Sequence, residues 1–204
     1  MRGLQTARGA ALTTNDAQLR EDSTAHPPAR PWSSTRAAVV LGCIAAGVLV
    51  LDQVTKHLAV NNLADGPPVK LLGGAVYLLL TRNSGAAFSL GTQVTYVFPI
   101  IAFAVIGWIV WIARRLGSGA WAIALGLVLG GTLGNLGDRL FRAPGPFLGH
   151  VVDFISAFDD AGQFFPVFNI ADSALFCGVC LAVLLELLGR RRDGTRIRSN
   201  RVAD

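Results

Sequence analysis

Charged side chains are scarce in this chain: Asp, Glu, Lys and Arg make up 15% of its 204 residues, against about 25% in soluble domains. Hydrophobic residues reach 52% and the mean hydropathy is +0.49. That balance excludes an ordinary soluble domain and points to a membrane protein. Cysteine is nearly absent as well, with three in all, so no disulfide framework is expected. Cys177-Gly178-Val179-Cys180 has the spacing of a redox motif, but it lies within an apolar run and reads as small packing residues. The three histidines, His26, His57 and His150, are scattered and form no ligand cluster, so neither a metal nor a cofactor is expected. The basic residues form no stripe with interleaved aromatics. Nucleic-acid binding is therefore excluded despite a net charge of +5 and a pI near 9.7.

What the chain does have is length in its apolar runs. Stretches close to the roughly 20 residues that cross a bilayer occur at 37–60, 94–113, 119–136 and 165–188. A shorter run at 69–80 carries Lys70 and the pair Gly73-Gly74, and reads as strand or interfacial structure. Thirteen of the eighteen basic residues fall in 1–36, at Arg114-Arg115, or beyond 189. By the bias of basic residues toward the cytoplasm, both termini are expected there. Trp108, Trp111 and Trp121 flank the Arg114-Arg115 turn, where an interfacial aromatic belt belongs.

Residues 1–36, rich in Ala, Thr, Arg and Pro, read as a disordered cytoplasmic tail, and 189–204 as a basic, solvated one. Val40-Leu41-Gly42-Cys43 looks like a lipoprotein cleavage box. Only 37–41 precede its cysteine as apolar residues, however, whereas a signal h-region needs about 7–15. The first run is therefore read as an uncleaved span. Between the first two spans, 61–93 has the turn sequence Asp65-Gly66-Pro67-Pro68 followed by short apolar runs broken by glycines, which suggests a small sheet on the outer face.

Polar residues gather at the non-cytoplasmic end of each span. Asp52 and Lys56 stand four apart on one helix face, and so can pair. Asn135, Asp138 and Arg139 share a face on the third span, and Asn169 and Asp172 on the fourth. Pairs such as Asp52–Lys56 and Asp138–Arg139 are expected to hold helices in register. Gly130, Gly131 and Gly134 are spaced for close helix approach. Asp153 and Asp172 differ, because neither has a basic neighbour in its own segment and both sit among apolar residues. An ionisable group in such a place is a functional-site hypothesis by default. Two buried carboxylates brought together would separate into one protonated and one ionised group, which can activate water and protonate a leaving amine.

Five blocks carry a resemblance. They are Asp52-Gln-x-Thr-Lys56, Asn83-Ser-Gly-Ala-Ala-Phe-Ser89, Gly130-Gly-x-x-Gly-Asn135-x-x-Asp138-Arg139, Val151-Val-Asp153-Phe-Ile155 and Phe168-Asn169-x-Ala-Asp172-Ser173. In type and order they resemble the signature blocks of lipoprotein signal peptidase (signal peptidase II), over 37–188. Thr132 and Gly137 depart from the pattern at positions with no catalytic part. The resemblance implies an all-α membrane fold, a bundle of four transmembrane helices with a small extracytoplasmic β-cradle. It implies an aspartyl endopeptidase of the bacterial inner membrane, multi-pass, with its active site at the outer face. Such an enzyme cuts the signal peptide from a diacylglyceryl-modified prolipoprotein, on the N-terminal side of the lipidated cysteine.

Carried over by position, Asp153 and Asp172 match the catalytic pair. Asn83, Asn135, Arg139 and Asn169 match substrate-binding residues, and Asp52, Lys56, Asp138 and Gly85 match supporting ones. Membrane lipid is an expected partner, nucleic acid is not, and the chain is expected to be monomeric. Two other readings compete. A proton-coupled carrier would also hold intramembrane carboxylates, but it should show broken helices near the midplane and repeat symmetry, and neither is evident. A non-enzymatic scaffold would use the polar end for docking.

Overall fold

The computed structural model describes residues 31–85 and 95–196. Most of the expected N-terminal tail, the second half of the Asn83–Ser89 block, and the end of the C-terminal tail lie outside the described residues. Helix α1 spans Ser34–Leu63. The Ser33 side chain caps it by accepting from the Arg36 amide at 3.3 Å. The helix carries Asp52 and Lys56 within its apolar run because the two satisfy each other there (2.8 Å). Pro67 and Pro68 follow its end, where the chain cannot stay helical.

The chain has three strands among the described residues: β1 (Val69–Leu71), β2 (Val76–Asn83) and, far along the chain, β3 (Val151–Ala157). They form one antiparallel sheet in the order β1-β2-β3. A 3-10 turn, Leu72–Gly74, joins β1 to β2, with Gly73 and Gly74 at φ of 68° and 106°. β2 pairs with β3 from Val76↔Ala157 to Asn83↔Val151, with a register break between Leu78 and Thr81. The sheet expected within 61–93 is therefore completed by a strand from far along the chain, which bears Asp153.

Helix α2 covers Val97–Ala113, α3 Gly119–Phe141 and α4 Ile170–Leu187. α1, α3 and α4 are long and apolar enough to cross a membrane. α2, with 17 residues, is apolar but shorter. α4 starts later than the apolar run at 165–188, because Pro166 lacks an N–H and the chain runs extended there. Phe168 hydrogen-bonds to Ile155 in both directions at 2.9 Å, which ties this segment to β3.

α3 packs against each of the other three helices. Glycines allow this closeness. A Cβ on Gly130 would stand 2.6 Å from Val48 Cβ and 2.8 Å from the Ala45 carbonyl, and one on Gly178 would stand 2.8 Å from the Ala124 carbonyl. The core around α3 includes Leu41, Ile109, Trp121, Leu125 and Leu185. Large apolar residues such as Val50, Leu58, Ile100, Phe103, Phe176 and Val183 face outward, as a surface facing lipid would. Cys43, Cys177 and Cys180 are exposed as well, so Cys177 and Cys180 do not fill the interior as the packing residues expected from the sequence.

Candidate active site

The polar ends of α1, α3 and α4 meet under the sheet, and β3 crosses above them. Asp172 lies in the first turn of α4 and closes a capping box with Asn169. The Asn169 side-chain oxygen accepts from the Asp172 amide at 2.9 Å, and Asp172 Oδ2 accepts from the Asn169 amide at 3.1 Å. The remaining oxygen of Asp172, Oδ1, accepts from Asn135 Nδ2 at 2.7 Å.

Asp153 comes to the same place from β3. Its Oδ1 accepts from Asn169 Nδ2 at 2.7 Å and its Oδ2 from Asn83 Nδ2 at 3.0 Å. Asn169, fully buried, therefore touches both carboxyl groups, one through its side chain and the other through its backbone. Burial pushes the Asp153 carboxyl up to about 7, and the nearby Asp172 adds to the rise. Hydrogen bonds from Asn83 and Asn169 and the charge of Lys56 oppose that rise without cancelling it.

Behind this pair lies a second, fully buried group. Lys56 Nζ donates to Asp52 Oδ2 (2.8 Å), Asp138 Oδ2 (2.9 Å) and Asn135 Oδ1 (2.9 Å). These contacts use all three of its N–H donors. Asp52 Oδ1 accepts from the Ala171 amide at 2.9 Å, and Asp138 Oδ2 from the Val152 amide at 3.1 Å. The network thus holds α4 and β3, which carry the two front carboxyls, on α1 and α3. Arg142 Nε donates to Asp138 Oδ1 at 2.5 Å. The expected Asp138–Arg139 pairing is not among the ion pairs of the described residues, and Arg142, one helical turn beyond Asp138, takes that place. Its i, i+4 spacing was visible in the sequence. Gln53 was also missed, and it joins Asp52 Oδ2 (3.1 Å) to the Gly134 carbonyl (3.2 Å).

Arg139 stands apart from this network. Its guanidinium lies 4.6 Å from the centre of the Phe98 ring and donates to the Ser84 carbonyl at 3.5 Å. Gly85 allows that approach. It adopts φ 109°, its amide donates to Asn83 Oδ1 at 2.8 Å, and a Cβ there would stand 2.6 Å from Phe98. All ten residues singled out from the sequence thus lie at this end of the molecule, as two linked layers. Among the described residues, no buried side-chain polar atom lacks a hydrogen-bond partner. No three His, Cys, Asp or Glu side chains among them converge as metal ligands.

A family model described as signal peptidase (SPase) II matches residues 44–188. The chain is 48% identical over 187 residues to a lipoprotein signal peptidase of Rhodococcus jostii, covering 91% of this chain and 92% of that one. It is 48% identical over 177 residues to a lipoprotein signal peptidase of Mycolicibacterium smegmatis, covering 83% and 72%. Two bacterial membrane enzymes solved by the in meso method share the fold. One has a TM-score of 0.62 and 28% identity, over 79% of this chain and 98% of the other. The second has a TM-score of 0.65 and 27% identity, over 87% and 100%.

Proposed function

We propose a mechanism from one premise: the chain belongs to the signal peptidase II family, the proteases that remove signal peptides from prolipoproteins. In this reading the enzyme is an intramembrane aspartyl endopeptidase, and Asp153 and Asp172 are its catalytic residues. The observation that carries the proposal is the position of Asn169, which donates to Asp153 with its side chain and to Asp172 with its backbone. One buried residue therefore fixes both carboxyl groups against each other, and among the described residues no cation is in hydrogen-bond contact with either.

A pair so placed titrates as a unit and keeps one proton between its members. Burial raises Asp153 to about 7, which makes it the natural holder of that proton. The ionised partner takes a proton from water as the water oxygen attacks the scissile carbonyl carbon. The protonated one gives its proton to the carbonyl oxygen, so that a tetrahedral diol forms. The diol collapses as the C–N bond breaks: the proton taken from water passes to the leaving amine, and a diol hydroxyl returns its proton to the carboxylate that had donated one.

The substrate is a diacylglyceryl-modified prolipoprotein, cut on the N-terminal side of its lipidated cysteine. A substrate helix in lipid satisfies its own backbone hydrogen bonds and must unwind to be cut. Asn83, Asn135, Arg139 and Asn169 lie where they can bind the amide groups so exposed. Lys56, Asp52, Asp138 and Gly85 support them. The four helices, α2 included, span the bacterial inner membrane with both termini in the cytoplasm, and the site opens at the outer face, where water is available. The enzyme works as a monomer and uses no cofactor.

The test is processing of a diacylglyceryl-modified precursor by purified Asp153→Asn and Asp172→Asn variants, followed by gel mobility. Each should lose at least about 100-fold in rate while keeping its thermal melting transition in detergent. The wild-type rate should also fall as pH rises through about 7, where the shared proton leaves. Normal processing by both folded variants would sink the proposal.

A further inference from the structure

At the end of the bundle opposite Asp153 and Asp172, the chain beyond α4 folds back. The Gly117 amide donates to the Arg192 carbonyl at 2.8 Å, and Trp121 Nε1 donates to the Arg190 carbonyl at 2.7 Å. The Arg191 amide donates to the Thr195 carbonyl at 2.9 Å and closes a turn. The Arg192 guanidinium lies 5.6 Å and 5.2 Å from the ring centres of Trp108 and Trp121. This part of the tail is thus built onto the bundle. Between the turn and α2 it leaves a cleft of about 360 Å³, within the range of roughly 300–1,000 Å³ typical of ligand clefts.

Arg115, Arg191 and Arg192 line the cleft, with Glu186 and Asp193 as its acids and Trp111 as an exposed apolar wall. Asp193 is already engaged, since its Oδ1 accepts from the Thr195 hydroxyl at 2.6 Å and from the Thr195 amide at 2.9 Å. None of the three arginines makes an ion pair with a carboxylate among the described residues. α2 and α4 both end here, with exposed Trp108 and Trp111 alongside, so the cleft opens at the level of the lipid headgroups. Guanidinium groups bind phosphate oxygens with matched geometry, and basic pockets between helix ends take lipid phosphates.

We propose that this cleft binds the phosphate of an anionic phospholipid, with Arg115 and Arg191 on the phosphate, Arg192 held against the two indoles, and Trp111 along the glycerol and upper acyl chain. The site is separate from the proposed catalytic centre and does not depend on it.

The test uses the full-length chain in detergent micelles, with bound lipid counted by native mass spectrometry. Short-chain phosphatidylglycerol should bind saturably to one site, while phosphatidylcholine of equal chain length and inorganic phosphate should not compete for it. Arg115→Gln and Arg191→Gln should each weaken binding about fivefold. Glu186→Gln should strengthen it, an effect that a folding defect would not produce. Arg114→Gln, which removes an exposed charge at the same end but outside the cleft, should leave binding unchanged. Equal retention of phosphatidylcholine, displacement by inorganic phosphate, or an equal loss in Arg114→Gln would each overturn the proposal.

Discussion

Asn169 combines two tasks that are easily confused. As the N-cap of α4 it accepts from the Asp172 amide, and as an amide donor it reaches Asp153. Serine is an equally good N-cap but is too short to bridge to a strand. Asn169→Ser should therefore keep the thermal stability of the protein within about 1 kcal/mol and still lose most of its signal-peptide cleavage. Melting in detergent and precursor processing, measured on one preparation, would check both. Equal loss of stability and rate would mean that the cap alone explains the residue. Arg142 shows the same scale from another side. Its neighbour Arg139 shared a sequence block with Asp138, but one helical turn places Arg142, and not Arg139, beside that carboxylate.

Helix contacts depend on what lies at two depths of α3. Deep in the bundle, Gly126 and Gly130 let α1 approach until its carbonyls face bare Cα atoms. Nearer the sheet, Gly134 makes room for Asp52, because a Cβ there would stand 2.5 Å from Oδ2. The seam therefore changes from close packing to ionic contact along a single helix face. Among the described residues Lys56 is the only cation paired with Asp52, and it also meets Asp138. Replacing it by methionine, which has a similar length, would leave Asp52 without a counter-charge in a fully buried place. Losing one partner of a buried pair costs about 3–5 kcal/mol. Lys56→Met is thus expected to reduce folded yield or melting temperature sharply, as measured by size-exclusion chromatography and thermal unfolding. A stable Lys56→Met protein would show that the pair is dispensable for the fold.

Over the whole molecule, polarity is divided between two ends. One end holds the buried carboxyl and asparagine cluster under a sheet, and the other holds exposed arginines beside Trp108 and Trp111. The excess of basic residues at the second end underlies the proposed orientation. A fluorescent protein fused to the C-terminus should fluoresce, and alkaline phosphatase fused there should be inactive, since the first works in the cytoplasm and the second outside it. The reverse pattern would put the Asp153–Asp172 end in the cytoplasm.

The apolar runs were legible because a bilayer demands unbroken hydrophobic length, and a count along the chain reveals it. The gathering of Asp52, Asn135, Asp138, Asn169 and Asp172 at one end followed from the alternating direction of the runs. Their spacing of three or four residues put them on shared helix faces. Less could be read between the runs. β3 gave no clear signal because both of its faces are covered around Asp153, so the alternation of an exposed strand is missing there. The extended stretch before α4 was hidden because its residues are as apolar as the helix itself. Sequence already set Asp153 and Asp172 apart by their lack of basic neighbours, and the tertiary structure supplied the partners of each carboxylate. Asp52 and Asp138 receive Lys56 and Arg142, whereas Asp153 and Asp172 receive amides alone. Sequence determined which side chains reach this end of the bundle, since period and hydrophobic length are local properties. Which of them meet was decided by packing, because contacts such as Lys56 with Asn135 join residues 79 apart in the chain.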